Sequence, residues 1–282
     1  MHTINWKHGT LAMPLILVSL ITGSSAKGDN AEDLINKALK VSGIAEQLDL
    51  LAATVMGSIP GDLFEHRETR RRVEKYVKDR VKPEDLLASV RAALRRDFSP
   101  ERIMQVVEFY ESRLGRKVGA LQSKILTSQA IQDVQEGHSS VQARSETRLA
   151  LLKAIMDAQN SATRSVALLD HFLKGLADGF LGHGGLQRDE LFRTLGPLVR
   201  GPGPVNRLTE QVDLVAYART YRSLTDRELE ELAAYHTSES ARWFGNAVQA
   251  GTEQAVYQVA KALGESLRIL RDSPEQDRAI SR

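Results

Sequence analysis

Between its prolines the chain places apolar residues three and four positions apart, the spacing of one face of an α-helix. Leu34, Ala38 and Val41 share such a face, with Gly43 as its stop. Leu86, Val90, Ala93 and Leu94 share another behind Pro83, whose missing N–H suits a first helical turn. A longer helix is predicted from Ser161 to Leu181, ended by the "GHGG" of Gly182 to Gly185. "RGPGPVN", Arg200 to Asn206, reads as a stiff turn before a helix holding Leu214, Val215 and Ala218. No segment alternates with period two among β-branched or aromatic residues. The predicted class is all-α, a helical bundle.

One helical pattern is written twice. "FSPERIMQVVEFYESRLGRKV" from Phe98 and "LTDRELEELAAYHTSESARWF" from Leu224 align at a shift of 126 positions. The shift pairs Ser99 with Thr225, Ile103 with Leu229, Val107 with Ala233, Phe109 with Tyr235 and Ser112 with Ser238. It also pairs Arg96 with Arg222 and Arg116 with Arg242. Ser99 and Thr225 are N-cap residues, one followed by Pro100 and the other completed by Glu228 as a capping box. Ile103, Val106, Val107 and Tyr110 form an apolar stripe, matched by Leu229, Leu232 and Ala233 with His236 in place of the tyrosine. Ser112 and Ser238 then cap a second helix carrying Leu114, Val118 and Leu121, or Trp243, Phe244 and Val248. Each copy reads as a helical hairpin or one kinked helix, and neither buries its stripe alone. Upstream, "LLAATVMGSIPG" and "LLDHFLKGLADG" look related at a shift of 118, which implies an insertion. Two diverged units follow, residues 27–160 and 161–272, with a polar tail over 273–282.

These segments resemble the bacterial domain of unknown function 2059, whose signature runs F-[ST]-x-x-E-L and then F-Y-x-S-P-x-G-x-K. The first copy matches at Phe98, Ser99, Phe109, Tyr110, Ser112, Gly115 and Lys117. The second keeps Thr225, Glu228, Leu229, Tyr235 and Ser238, with Ala241 and Trp243 where Gly and Lys stand in the signature. Arg113 and Glu239 replace its proline, which leaves a continuous bent helix open. The resemblance implies an exported, helical protein and transfers no catalytic residue, because no activity is established for that family.

The N-terminus agrees with export. "MHTINWKHGT" carries one Lys and no acid, "LAMPLILVSLIT" is apolar, and Ser24 and Ala26 occupy small-residue cleavage positions. Residues 1–26 are read as a signal peptide, since an apolar run of about a dozen residues is short of the roughly 20 a spanning helix needs. The chain has no cysteine, which removes the acyl anchor of a lipoprotein, disulfides and thiolate metal sites. A net charge of +2 gives no bias towards nucleic acid. The expected place is the periplasm, as a soluble protein.

Candidate chemistry is sparse. No two histidines stand at metal-binding spacing with a carboxylate, and Asp170, His171, Asp178 and His183 are the nearest to a cluster. "HGG" at His183 has no accompanying G-x-S-x-G elbow. "GPG" at Gly201 to Gly203 reads as a turn, since Pro202 and Pro204 remove amide donors that a phosphate loop needs. No catalytic residue, metal site or cofactor is assigned. Phe109, Tyr110, Arg116, Tyr235, Arg242 and Trp243 are the candidates for a ligand or partner groove between the copies, against the alternative that the aromatics are core. Arg70, Arg71, Arg72, Lys75 and Lys78, within "HRETRRRVEKYVKDRVK", are the candidates for contact with an anionic surface, against a solvated face with i,i+4 pairs. The preferred reading is a non-enzymatic binding or interaction module of the bacterial envelope, taking a protein or an apolar or amphipathic ligand. The alternatives are an envelope-acting hydrolase with a site assembled from distant helices, and a peripheral binder of anionic membrane.

Overall fold

The computed structural model describes residues 31–58, 67–122, 145–182 and 204–272, and among them there are eleven helices and no strand. The all-α helical bundle is therefore the fold class of the described chain.

The first six helices are α1 (Ala31–Val41), α2 (Ile44–Ser58), α3 (Arg67–Arg80), α4 (Pro83–Arg96), α5 (Pro100–Glu111) and α6 (Arg113–Gln122). The remaining five are α7 (Glu146–Ala158), α8 (Ser161–Leu181), α9 (Pro204–Thr220), α10 (Asp226–His236) and α11 (Glu239–Asp272). Local chemistry sets several of their ends. Ser99 accepts a hydrogen bond from the Arg102 amide ahead of Pro100. Thr225 and Glu228 form the reciprocal capping box. Gly182, at φ +78°, closes α8. One boundary differs from expectation: Pro204, Val205 and Asn206 belong to the first turn of α9 rather than to the preceding turn. Proline is tolerated there because a first-turn amide has no helical acceptor. Residues 183–203, which include His183 and most of "RGPGPVN", lie outside the described residues.

The two serine breaks are both turns. Ser112 Oγ accepts from the Gly115 amide at 3.0 Å, and Ser238 Oγ accepts from the Ala241 amide at 3.2 Å. The apolar stripe Ile103, Val106, Val107 and Tyr110 is buried, as are Leu229 and Leu232, while Ala233 is partly buried against the same core.

The two halves follow the same order of contacts. α1 packs on α2, α4 and α5 as α7 packs on α8, α9 and α10. The loop between α1 and α2 turns at Gly43 (φ 75°), and the loop between α7 and α8 turns at Asn160 (φ 51°), both in the left-handed region. Buried Ile44, Gln47, Leu48 and Leu51 of α2 stand in the same order as buried Ser161, Arg164, Ser165 and Leu168 of α8. That register is 117, one less than the shift the sequence resemblance suggests there. One residue matters, because it rotates a helix face by about 100°. α7, placed in the first unit by a boundary at 160, packs on α9 and α10.

The long α11, 34 residues, packs against α8, α4, α3, α5 and α2. Its crossing with α8 is backbone on backbone. A Cβ on Gly175 would stand 2.3 Å from the Tyr257 carbonyl oxygen, and one on Gly179 would stand 2.1 Å from that of Lys261. No helix among the described residues is long and apolar enough to cross a membrane.

Candidate functional site

The aromatic candidates are brought together, but against each other. Phe109 and Tyr235 stack face to face, with centroids 3.9 Å apart and planes 6° off parallel. That spacing leaves no room for a ligand between these two rings. Tyr110 is buried and meets Phe109 edge-on. Arg242 donates to the Thr237 carbonyl at the end of α10, the ordinary use of a guanidinium beside a helix C-terminus. Arg116 lies on α6, on the opposite side of the Ser112 turn from these rings in the chain.

The bonds around this stack are reciprocal. Lys117 Nζ donates to the Ser223 carbonyl at 2.9 Å, and Trp243 Nε1 donates to the Asp97 carbonyl at 3.1 Å. Both donors and both acceptors are separated by the repeat shift, so each half uses one position to hold the other's equivalent carbonyl. Lys117 also reaches Glu228, whose carboxyl falls to about 2 through the Thr225 amide and the Lys117 ammonium.

On α3 the basic candidates are largely engaged within their own helix. Arg70 pairs with Glu74 at 2.8 Å, Arg71 with Glu68 at 3.8 Å and Lys75 with Asp79. Such i,i+3 and i,i+4 pairs lower the charge that the face presents. Val73 and Val77 are buried, and Tyr76 donates to Glu265 of α11 beneath the Arg80 guanidinium. Lys78 and Arg72 also belong to this helix.

Of the histidine cluster, His183 lies outside the described residues, and the other three members take separate partners. Asp170 pairs with Lys174, Asp178 accepts from Tyr257, and His171 approaches Glu253 at 3.9 Å. No group of three or more metal-ligating side chains exists among the described residues.

Two features were not singled out by sequence. The first is an open groove of about 630 Å³ between α3, α4 and α11. Val81, Ala88, Ala92 and Ala262 give it apolar surface, while Arg80, Lys261, Asp85 and Glu265 supply both signs of charge. Along α11 its lining residues Gln258, Ala262 and Glu265 continue at helical spacing to Ile269, which is 46% exposed.

The second is a polar patch in the core of the second half. Buried Asp213 of α9 accepts from Ser165 of α8, and burial pushes its carboxyl up to about 7. Tyr217 of α9 donates to Gln159, and Arg164 of α8 donates to Asn246 of α11 at 2.9 Å. His236, at the end of α10 and 3% exposed, is pushed down to about 3 by burial and by the Arg164 guanidinium. A buried imidazole beside a cation stays neutral because charging it would be uncompensated. The signal for this patch lies only in comparing halves, since polar residues three and four apart on one helix otherwise read as a solvent face.

No family model matches the chain, and no curated protein or solved structure is detectably similar to it.

Proposed function

We propose that this protein is an exported, non-enzymatic interaction module of the bacterial envelope, and that a protein segment docks in the groove between α3, α4 and α11. The groove itself carries the reading. It combines small side chains, which let a second backbone approach, with charges of both signs, and exposed Ile269 follows one turn beyond it on α11. The matching occupant is an amphipathic helix with small or apolar residues on one face and mixed charge beside them. A uniformly anionic surface fits less well, because Asp85 and Glu265 line the same groove and Arg70, Arg71 and Lys75 of α3 pair within their own helix. The signal-like N-terminus and the resemblance of the hairpin motif support the compartment. The aromatic stack supports a structural role for Phe109 and Tyr235, with the exchange of bonds around them favouring duplication of one ancestral unit.

The experiment is site-specific photocrosslinking in the periplasmic fraction, with the reactive group placed at Ala88 in the groove or at exposed Ala154 on α7. The expected result is a discrete adduct at Ala88 alone, lost when Ala92→Arg fills the groove. Equal labelling at the two positions, or an adduct indifferent to Ala92→Arg, refutes the docking site. Recovery of the uncleaved precursor only in the cytosol refutes the compartment.

A further inference from the structure

The groove between α3, α4 and α11 is walled on one side by α11, and that helix carries the same stripe past the groove to its own end. Lys261, Ala262, Glu265, Arg268, Ile269 and Asp272 fall within an arc of about 120° when the chain turns by about 100° per residue. The first three line the groove, and the last three are exposed. Ala262 is buried, so its methyl group belongs to the floor of the groove rather than to its rim.

The charges along this stripe alternate in sign, in the order Lys261, Glu265, Arg268 and Asp272. Reversed in direction and inverted in sign, the series is unchanged. Two such stripes laid antiparallel therefore oppose unlike charges throughout. A twofold axis between Ser266 and Leu267 sets Lys261 of one copy opposite Asp272 of the other, and Glu265 opposite Arg268. The axis repeats both pairs on its other side. It also brings Ile269 of one copy to within about 3 Å, measured along the helix, of the level of Ala262 on the other. The exposed isoleucine of each copy then covers the groove floor of the other. The same spacing permits pairs within the helix, yet the hydrogen bonds of both acids go elsewhere: Glu265 accepts from Tyr76, and Asp272 accepts from Arg271.

We propose that the occupant of the groove is the end of α11 from a second copy of this chain, in an antiparallel twofold pair. The inference rests on the docking site proposed above and names its partner. A twofold interface uses one patch on both subunits, so that patch must complement itself. This one does so in charge through its alternating stripe, and in shape through Ile269 against the small side chains of Ala88, Ala92 and Ala262. One stretch of a single helix buries less area than a standard stable interface. The pair is therefore weak, dependent on concentration and sensitive to salt, which screens exposed charges.

The test is sedimentation velocity of the purified protein over a concentration series. The expected result is a monomer giving way to a dimer, with the dimer weakened by added sodium chloride. Lys261→Glu sets acid against acid twice across the axis, and is expected to weaken dimerisation by about tenfold or more. Lys261→Glu combined with Asp272→Lys in the same chain restores it, because both members of each pair have exchanged sign. A protein that is monomeric at every concentration, a dimer indifferent to Lys261→Glu, or a double variant that dimerises no more tightly than the single one overturns the proposal. Photocrosslinking from Ala88 separates this proposal from the docking site beneath it. An adduct of two copies of the chain supports both. An adduct with a different protein, formed by a chain that sediments as a monomer, overturns the twofold pair and leaves the docking site standing. No adduct at all refutes both.

Discussion

Adding one methyl group at Gly179 sets two effects of opposite sign against each other. In an isolated helix Gly→Ala stabilises by about 1 kcal/mol, because glycine gives up more backbone freedom on folding. Here the new Cβ would meet the Lys261 carbonyl oxygen at 2.1 Å, the Glu265 amide nitrogen at 2.7 Å and the Gly264 carbonyl carbon at 3.0 Å. All three are backbone atoms of α11, so no side chain can swing aside. Ordinary contact begins at 3.4 Å, so the helices must separate by more than an ångström at this point. A gap of that size forfeits roughly half of each dispersion contact along the crossing. Overpacking of this kind costs about 1–3 kcal/mol, and the backbone origin of the clash puts it at the upper end. After the propensity gain, Gly179→Ala is expected to destabilise by about 2 kcal/mol. Urea unfolding followed by far-UV circular dichroism reads this as a fall in midpoint at unchanged m. Gly182→Ala separates backbone strain from packing, since no described atom lies within 4 Å of its Cβ and only the strain of φ +78° with ψ 173° remains, about 1–3 kcal/mol. A Gly179→Ala protein as stable as the wild type, or more stable, would refute the close-crossing argument.

Two further outcomes follow from the buried groups. The folded-state carboxyl of Asp213 is raised to about 7 from 3.8, so its contribution is complete below pH 3.8 and is lost as pH rises through 7. Asp213→Asn should therefore gain on the wild type between pH 4 and pH 7, by a few kcal/mol at most, in thermal or urea unfolding across that range. His236 runs the other way, its contribution being present above pH 6.5 and lost as pH falls towards 3, so the wild-type profile alone hides both slopes. A difference between wild type and Asp213→Asn that does not change with pH would show the carboxyl to be ordinary. For the ring stack, a double-mutant cycle with Phe109→Leu and Tyr235→Leu should give a coupling of about 0.5–1.5 kcal/mol, and additive effects would show that the rings do not interact.

Helix ends were the most legible features, because a cap is a matter of neighbours in the chain. Ser99 with Pro100, the Thr225–Glu228 box and the stop at Gly43 all follow from residues within four positions of one another. The stripes of α4, α5 and α10 were legible for a related reason, since helical period and burial coincide at Leu86, Val90, Ile103, Val106 and Leu229. The groove and the polar core were not. Ala88 and Ala262 are remote in sequence and line one groove only because α11 packs on α4. Arg164 sits among serines on α8, and nothing local distinguishes a buried guanidinium from an exposed one.

What the sequence determined by itself was therefore helical class, the caps, the turns at Ser112 and Ser238 and the lack of thiol chemistry, because each depends on short-range geometry or on composition. The tertiary structure decided which faces meet. It stacked Phe109 on Tyr235, buried positions of α2 and α8 that lie 117 residues apart and pressed Gly179 onto the α11 backbone. It also enclosed Arg164, which donates to Asn246 of α11. Those outcomes depend on how separate helices share a limited volume, and close packing couples each choice to all the others.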